Sequence, residues 1–210
     1  MSGVKNWRVL TSLASGWVAR SKRFHKRIIV NTLFLGGVVL LCQGIYMDAK
    51  AIIAQGLIAH SWQQRTAASP PPKPWWWADT KAIAKLKVSR LGKEVFIMQD
   101  DSGESLAFGP GHLSASAGIS QAGHVMVAGH RDSHFKFLGQ LQLGDVIETT
   151  NSESITSRYK IDQLSILNAD TEKLMLYQTD RLTLITCYPF NGLVPGGPLR
   201  YIVDAQRIES

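Results

Sequence analysis

Cysteine is nearly absent: the 210-residue chain has two, Cys42 and Cys187. Cys42 lies inside an uncharged apolar run, a position that does not suit pairing with Cys187, so no disulfide framework is expected. Cys/His or carboxylate spacings of the kind that hold zinc are missing, as is a glycine-rich run of phosphate-loop form. No metal and no cofactor are expected. Acidic residues are missing from the first 27 positions, where Lys5, Arg8, Arg20, Lys22, Arg23, Lys26 and Arg27 carry the whole formal net charge of +7. From Asp48 onward, 16 basic residues face 16 acidic ones. That balance gives no support for a nucleic-acid-binding face. Tryptophan stops at Trp77, no internal repeat stands out, and helical periodicity is scarce beyond residue 81.

What is there falls into four parts. Residues 1–27 form a basic segment in which Trp7, Leu10, Leu13, Ala14, Trp17 and Val18 recur at helical spacing. Two readings are open for it: a helix lying on the inner leaflet, or a basic tail without fixed structure. Residues 28–47 (IIVNTLFLGGVVLLCQGIYM) are uncharged and long enough as a helix to cross roughly 30 Å of hydrocarbon. They read as one transmembrane helix, retained as an anchor because the run exceeds a signal-peptide core and no Ala-x-Ala site follows directly. The positive-inside bias keeps the amino terminus cytoplasmic and sends the rest across the membrane. In residues 48–80, Ala54, Ile58 and Trp62 form an i+4 row that extends the helix toward residue 66 as a stalk. SPPPKPWWW (Ser69–Trp77) then forbids regular helix and favours an extended spacer. Its three tryptophans suit a membrane-interface belt, a plug against the following domain, or a substrate platform.

Residues 81–210 are enough for one core. Short apolar or alternating runs recur at Ala82–Val88, Glu94–Met98, His124–Ala128, Val146–Thr150, Arg158–Leu167, Arg181–Cys187 and Leu199–Ala205. This is an all-β pattern, and closure into a small barrel would remove exposed edges. Leu106–Leu113 and Ala169–Tyr177 read as turns or short helices between the strands.

Three residues in this part have chemistry to offer. Cys187 ends an alternating strand just before Tyr188-Pro189, where a rigid edge can present a thiol to a substrate carbonyl. Alone, it reads equally as a small buried hydrophobe. His130 ends the run His124–Ala128 plus Gly129 and has the matching position for an imidazole partner, ahead of His124 and His134. Arg200 opens the last strand after the Gly-rich loop Val194–Pro198, and its fixed charge suits an oxyanion. Asp132 is open to orienting an imidazole or bonding the backbone of its own turn.

Together these segments resemble the sortases, membrane-anchored cysteine transpeptidases. TLITC (Thr183–Cys187) fits the signature around the nucleophile, AGHR (Ala128–Arg131) fits the histidine motif, and Arg200 follows on the next strand in the family's order. The extension HRDSHF and the sequence CYPF further resemble the branch found in Gram-negative bacteria, which implies a periplasmic catalytic domain at the inner membrane. The resemblance implies a closed β-barrel of about eight strands with short helices, preceded by the transmembrane helix. It implies cleavage of a carboxyl-terminal Leu-Pro-x-Thr-Gly-like sorting signal on a protein substrate, and transfer to an amine acceptor. Cys187 would be the nucleophile, His130 the general acid and base, Arg200 the stabiliser of substrate and oxyanion, and Thr186 a substrate-binding residue. Calcium, which some family members bind through acidic loops, is not expected here, since Asp100, Asp101 and Glu104 read as a solvated turn. Two other classes use the same sequence: a periplasmic cysteine hydrolase passing the acyl group to water, and a membrane-anchored interaction module in which Cys187 is idle.

Overall fold

A computed structural model describes residues 5–66, 69–192 and 196–209. The side chains of residues 5–26 and of Ile28, Gly44, Ile45, Met47, Asp48 and Glu209 lie outside that description. So do the apolar face expected on residues 7–18 and part of the loop 194–198. The chain divides into two compact units, residues 1–51 and 52–210.

In the first unit the backbone belongs to helix α1 (Lys5–Gln63). Along it Leu33, Phe34, Leu40 and Leu41 are exposed. The expected transmembrane run 28–47 includes four residues whose side chains are not described. Among the described residues no helix is long and apolar enough to cross a membrane.

In the second unit, the last turns of α1 bury the i+4 row of Ala54, Ile58 and Trp62, while Ile53 and Leu57 stay accessible. Ile58 and Trp62 pack on Ala82 and Met98, and Gln55 Nε2 donates to the Phe108 carbonyl. The Pro/Trp segment runs back along this patch: the Ser61 hydroxyl donates to the Pro72 carbonyl, and Trp75 meets Phe108 edge-on at 5.0 Å. Trp76 and Trp77 are exposed. Of the three tryptophans, only Trp75 seals against the folded domain.

The domain is a closed barrel of eight strands: β1 (Ala82–Val88), β2 (Lys93–Met98), β3 (Gly111–His112), β4 (His124–Ala128), β5 (Val146–Asn151), β6 (Thr156–Asn168), β7 (Arg181–Cys187) and β8 (Leu199–Glu209). Their order around the barrel is β1-β2-β3-β4-β7-β8-β6-β5. The eight-stranded closure and short helices agree with the sequence expectation. Period-two burial fills the interior: Leu86, Val88, Ile97, Val125, Val127, Ile147, Ile161, Leu182, Leu184 and Val203 are all essentially inaccessible. A Leu184→Ala cavity in such a core costs about 2–5 kcal/mol.

Of the two segments expected as turns or short helices, the first holds the end of a short helix and the second a turn. Within 106–113, the short helix α2 (Gly103–Phe108) ends and is followed by β3, a strand of two residues with no periodicity to reveal it. Ser102 caps α2, accepting from the Ser105 N–H at 3.2 Å. Residues 169–177 contain a turn but no helix. The first donors of this segment close the turn, Thr171 N and Glu172 N both bonding Asn168 O at 3.1 and 2.8 Å, while Ala169 N bonds Pro198 O at 2.8 Å and Tyr177 N bonds His124 Nδ1 at 3.1 Å. With Ala169 N and Tyr177 N engaged outward, the single i→i−4 bond is not extended into a helix.

One pairing decides where chemistry can occur. β4 runs parallel to β7, from His124 opposite Arg181 to Ala128 opposite Ile185. Parallel neighbours bring their carboxyl ends to the same rim.

Candidate active site

At that rim the ladder continues past β4, with Gly129 N donating to Ile185 O at 3.0 Å. Thr186 Oγ1 donates to Gly129 O at 2.7 Å. Two residues beyond the Ala128–Ile185 pair come His130, just past the end of β4, and Cys187, the last residue of β7. On the other flank β8 is antiparallel to β7, and Cys187 is in register with Arg200. Cys187 is thus carried by the strand between the one that leads to His130 and the one that holds Arg200. Cys187 is half-buried and His130 exposed.

Arg200 Nη1 donates to Gly197 O at 2.6 Å and Leu199 O at 3.0 Å. Its other N–H groups make no hydrogen bond to the described residues, so donors remain for an incoming oxygen. Thr186 points to the face of β7 opposite Cys187. It is buried, and its hydroxyl fastens the strand end that carries His130. Gly129 is required by close approach: a Cβ there would meet the Phe135 ring at 2.7 Å.

Sequence reasoning overlooked Arg131. Its side chain is 4% exposed and reaches under the rim, donating from Nη1 to Pro189 O (2.7 Å) and from Nη2 to Gly192 O (3.0 Å). Nε and Nη2 also grip the Asp132 carboxylate at 2.8 and 3.0 Å. The hydrogen bonds that Arg131 donates to Asp132 raise the Arg131 pKa above its ordinary value, and the Asp132 charge adds to this. Arg131 in turn lowers the Asp132 pKa, with a smaller part from His130. Asp132 therefore serves Arg131 rather than an imidazole or its own turn's backbone. The signal was in the motif, where a charged residue sits between a strand end and a buried phenylalanine.

The same face of the sheet continues away from Cys187 in rows set by the ladders. Leu167, Arg200 and Cys187 form the first, Ser165, Ile202 and Ile185 the second, and Gln163, Asp204 and Thr183 the third. A cleft of about 450 Å³ lies over Leu167, Ser165, Ile202 and the third row, walled by Glu172, Lys173, Leu174, Met175 and Tyr177. Under its far end is a buried polar chain that sequence reasoning also overlooked. His124 Nε2 is 2.6 Å from Thr183 Oγ1, and the Thr183 hydroxyl donates to the Asp204 carboxylate. Period two would have exposed it, since Asp204 stands four residues after Arg200 on the same face. Among the described residues no three of His, Cys, Asp and Glu gather into a metal-binding group.

The chain is similar to known proteins in sequence and in fold. The model of the Sortase domain matches residues 86–208. Sortase D of Bacillus subtilis (strain 168) is 30% identical over 125 residues, 59% of this chain and 62% of the relative. The chain thus spans a little under two thirds of that relative's length. Among solved structures, Sortase A from Corynebacterium diphtheriae has a TM-score of 0.56 at 25% identity, covering 64% of each chain. A Clostridium perfringens Sortase D5 transpeptidase has a TM-score of 0.52 at 26% identity, covering 61% of this chain and 79% of the other. One family model accounts for the barrel from β1 to β8, and with it more than half of the sequence: the chain belongs to the sortase family.

Proposed function

We propose that this sortase is a membrane-anchored cysteine transpeptidase that cuts a carboxyl-terminal Leu-Pro-x-Thr-Gly-like sorting signal and passes the released protein to an amine. The observation that carries the reading is the register at the barrel rim, with Cys187 between His130 on the parallel neighbour and Arg200 on the antiparallel one. In the first step the Cys187 thiolate adds to the threonine carbonyl, and Arg200 donates to the oxygen that becomes negative. Collapse expels the downstream peptide as an amine, which takes its proton from the His130 imidazolium, leaving a thioester on Cys187. The acceptor amine then loses a proton to His130, attacks the thioester and expels the Cys187 thiolate, which restores the starting pair. The exposure of His130 suits this exchange, because both amines pass it.

The anchor is residues 28–47. Support comes from the uncharged sequence, the exposed apolar side chains Leu33, Phe34, Leu40 and Leu41, and the cationic flank before them. The catalytic unit then lies outside the cytoplasm, in the periplasm if the chain follows the Gram-negative branch its HRDSHF and CYPF segments resemble.

The test uses the full chain in detergent with a fluorescence-quenched Leu-Pro-Asn-Thr-Gly peptide, with and without hydroxylamine. The expected outcome is an amine-dependent hydroxamate product and a thioester adduct on Cys187 by mass spectrometry, with turnover lowered at least about 10³-fold in Cys187→Ala. Cleavage indifferent to the amine would make the protein a hydrolase. Unchanged cleavage by Cys187→Ala would remove the enzyme reading altogether.

A further inference from the structure

Two tryptophans stand clear of the fold on a turn that has no structural use for them. The chain leaves α1, reverses at the Thr66–Ser69 bridge and runs back along the helix, with Pro72 beside Ser61 and Trp75 on Phe108, whose carbonyl accepts from Gln55. There the direction changes again within four residues. Ala78 N donates to Trp75 O at 3.0 Å, so Trp76 and Trp77 fill the two central positions of a β-turn. Those positions ordinarily go to proline, glycine or a small polar residue. Both ends of the turn are held, Trp75 by Phe108 and Ala78 by complete burial. The tip is bare: Trp76 is 85% and Trp77 62% exposed, and their rings meet edge-on at 4.9 Å. Among the described residues neither indole N–H makes a hydrogen bond. Nothing within the unit offsets the exposure of so much apolar area.

Position says what covers the tip. Gln55 is the fourth residue of the unit that begins at Ile52, so the turn stands at the end where the chain enters, and Ile52 and Ile53 are themselves exposed there. The sequence that leads into them is the uncharged run 28–47. An indole combines apolar area with a polar N–H, the combination that places tryptophan at the headgroup level of a bilayer. Register brings the catalytic rim to the same end. Ile58 and Trp62 pack on Ala82 and Met98, and the ladders join Ala82, Met98, Gly111, Ala128 and Ile185 in one row across the barrel. His130 and Cys187 follow that row by two residues. Met98 is three strands from Ile185, about 14 Å along the sheet at roughly 4.8 Å per strand. We propose that Trp76 and Trp77 dip into the lipid headgroup layer and fix the tilt of the catalytic unit, so that the Cys187 rim is turned to the membrane from which a tethered substrate emerges. The proposal rests on the membrane-anchored reading: the anchor retains the unit and the two rings orient it.

Quenching by lipid tests the contact directly. The full chain carrying Trp7→Phe and Trp17→Phe, which silences the tryptophans of the basic segment, is reconstituted into phosphatidylcholine vesicles. Half of the vesicles contain phosphatidylcholine brominated at the headgroup end of its acyl chains, which quenches only the indoles it touches. Brominated lipid is expected to quench the emission, and adding Trp76→Ser and Trp77→Ser to cut that quenching about threefold, because Trp62 is buried and Trp75 is packed on Phe108. Equal quenching with and without the pair overturns the proposal, as does emission that brominated lipid leaves untouched. In that second case shielding from aqueous acrylamide would mean that a second protein surface covers the tip, and free access that water does. The bromine comparison is made on one and the same chain, so it does not depend on how the Ser variant folds. Extraction with alkaline carbonate reads the anchor separately. Protein that stays in the vesicles unquenched overturns the tip and leaves the anchor standing, whereas protein quenched through Trp76 and Trp77 yet washed off by carbonate overturns the anchor and leaves the tip in the headgroups.

Discussion

Arg131 shows how much of an active site is held by groups that never touch substrate. Its guanidinium joins the segment after His130 to the segment after Cys187 through two carbonyls and one carboxylate. Planarity matters more than charge here, since a lysine cannot bond in three directions across one plane. Gly192 is shaped around it, because a Cβ there would meet Nη1 at 2.8 Å. Arg131→Lys is expected to lower kcat/KM on the order of tenfold to hundredfold by loosening the approach of His130 to Cys187, with KM changed much less than kcat. Asp132→Asn, which keeps the shape and loses one charge, is expected to do less. Stopped-flow acylation by the quenched peptide measures both, and equal rates for Arg131→Lys and wild type would show that the clamp is dispensable. At this scale the sequence was partly legible. Cys187, His130 and Arg200 are read from motifs because their chemistry is rare and their spacing recurs. Arg131, Thr183 and Asp204 were not, because motif and period two give each a place at a strand end or on a face but not the partners its side chain bonds, which lie on other segments.

Strands were legible where they meet the core: burial imposes period two on β1, while β4 and β7 are short apolar runs buried at successive residues, and the expected bounds of all three coincide with the structure. Strands that continue on hydrogen bonds alone were not. β8 runs on to Glu209 past its apolar stretch because Gln206 and Arg207 still pair with Arg181 and Tyr159. The segment 172–180 has no period, and its position depends on bonds to distant partners, among them Tyr177 N to His124 and Gly123 N to Asp180. This attachment has a pH dependence. Desolvation lowers the pKa of both His124 and His134. Falling pH therefore charges these rings in the unfolded chain first, near the ordinary value of about 6.5, and stability is lost from there down through the folded values. Three carboxylates are moved away from this window. Asp100 is held down to about 2 by hydrogen bonds from Ser102 and Ser105, and Asp132 and Asp145 are lowered by Arg131 and Arg90. The melting temperature of the full chain in detergent is expected to drop between pH 7.5 and 5.5, by about 2–4 °C per kcal/mol lost. His124→Asn is expected to flatten part of that slope. A slope unchanged in both His124→Asn and His134→Asn would show that the rings titrate freely.

At the scale of the whole molecule, charge and cysteine scarcity converge on one experiment. The catalytic unit has no net charge of its own, with 16 basic and 16 acidic residues from Asp48 onward, so nothing electrostatic in it would hold it at an anionic surface. In the proposed anchored arrangement, retention at a membrane would come from residues 1–47, whose basic block and apolar run would also set the orientation. The two cysteines report that orientation without any being introduced. Cys42 belongs to the apolar run, which would bury it in hydrocarbon, while Cys187 is half-buried at an open rim. A membrane-impermeant maleimide added to spheroplasts is expected to attach once per chain, at Cys187, and not at all in Cys187→Ala. Lysis should add no second label, because hydrocarbon shields Cys42 from a charged reagent on either side. Two further results decide against the anchored arrangement. Label that attaches to Cys187 only after lysis would put the catalytic unit in the cytoplasm, where no sorting signal emerges from the membrane to meet it. Label on Cys42 in intact spheroplasts would mean that the run 28–47 is not inserted, and that the exposed leucines along α1 are covered by protein instead of lipid.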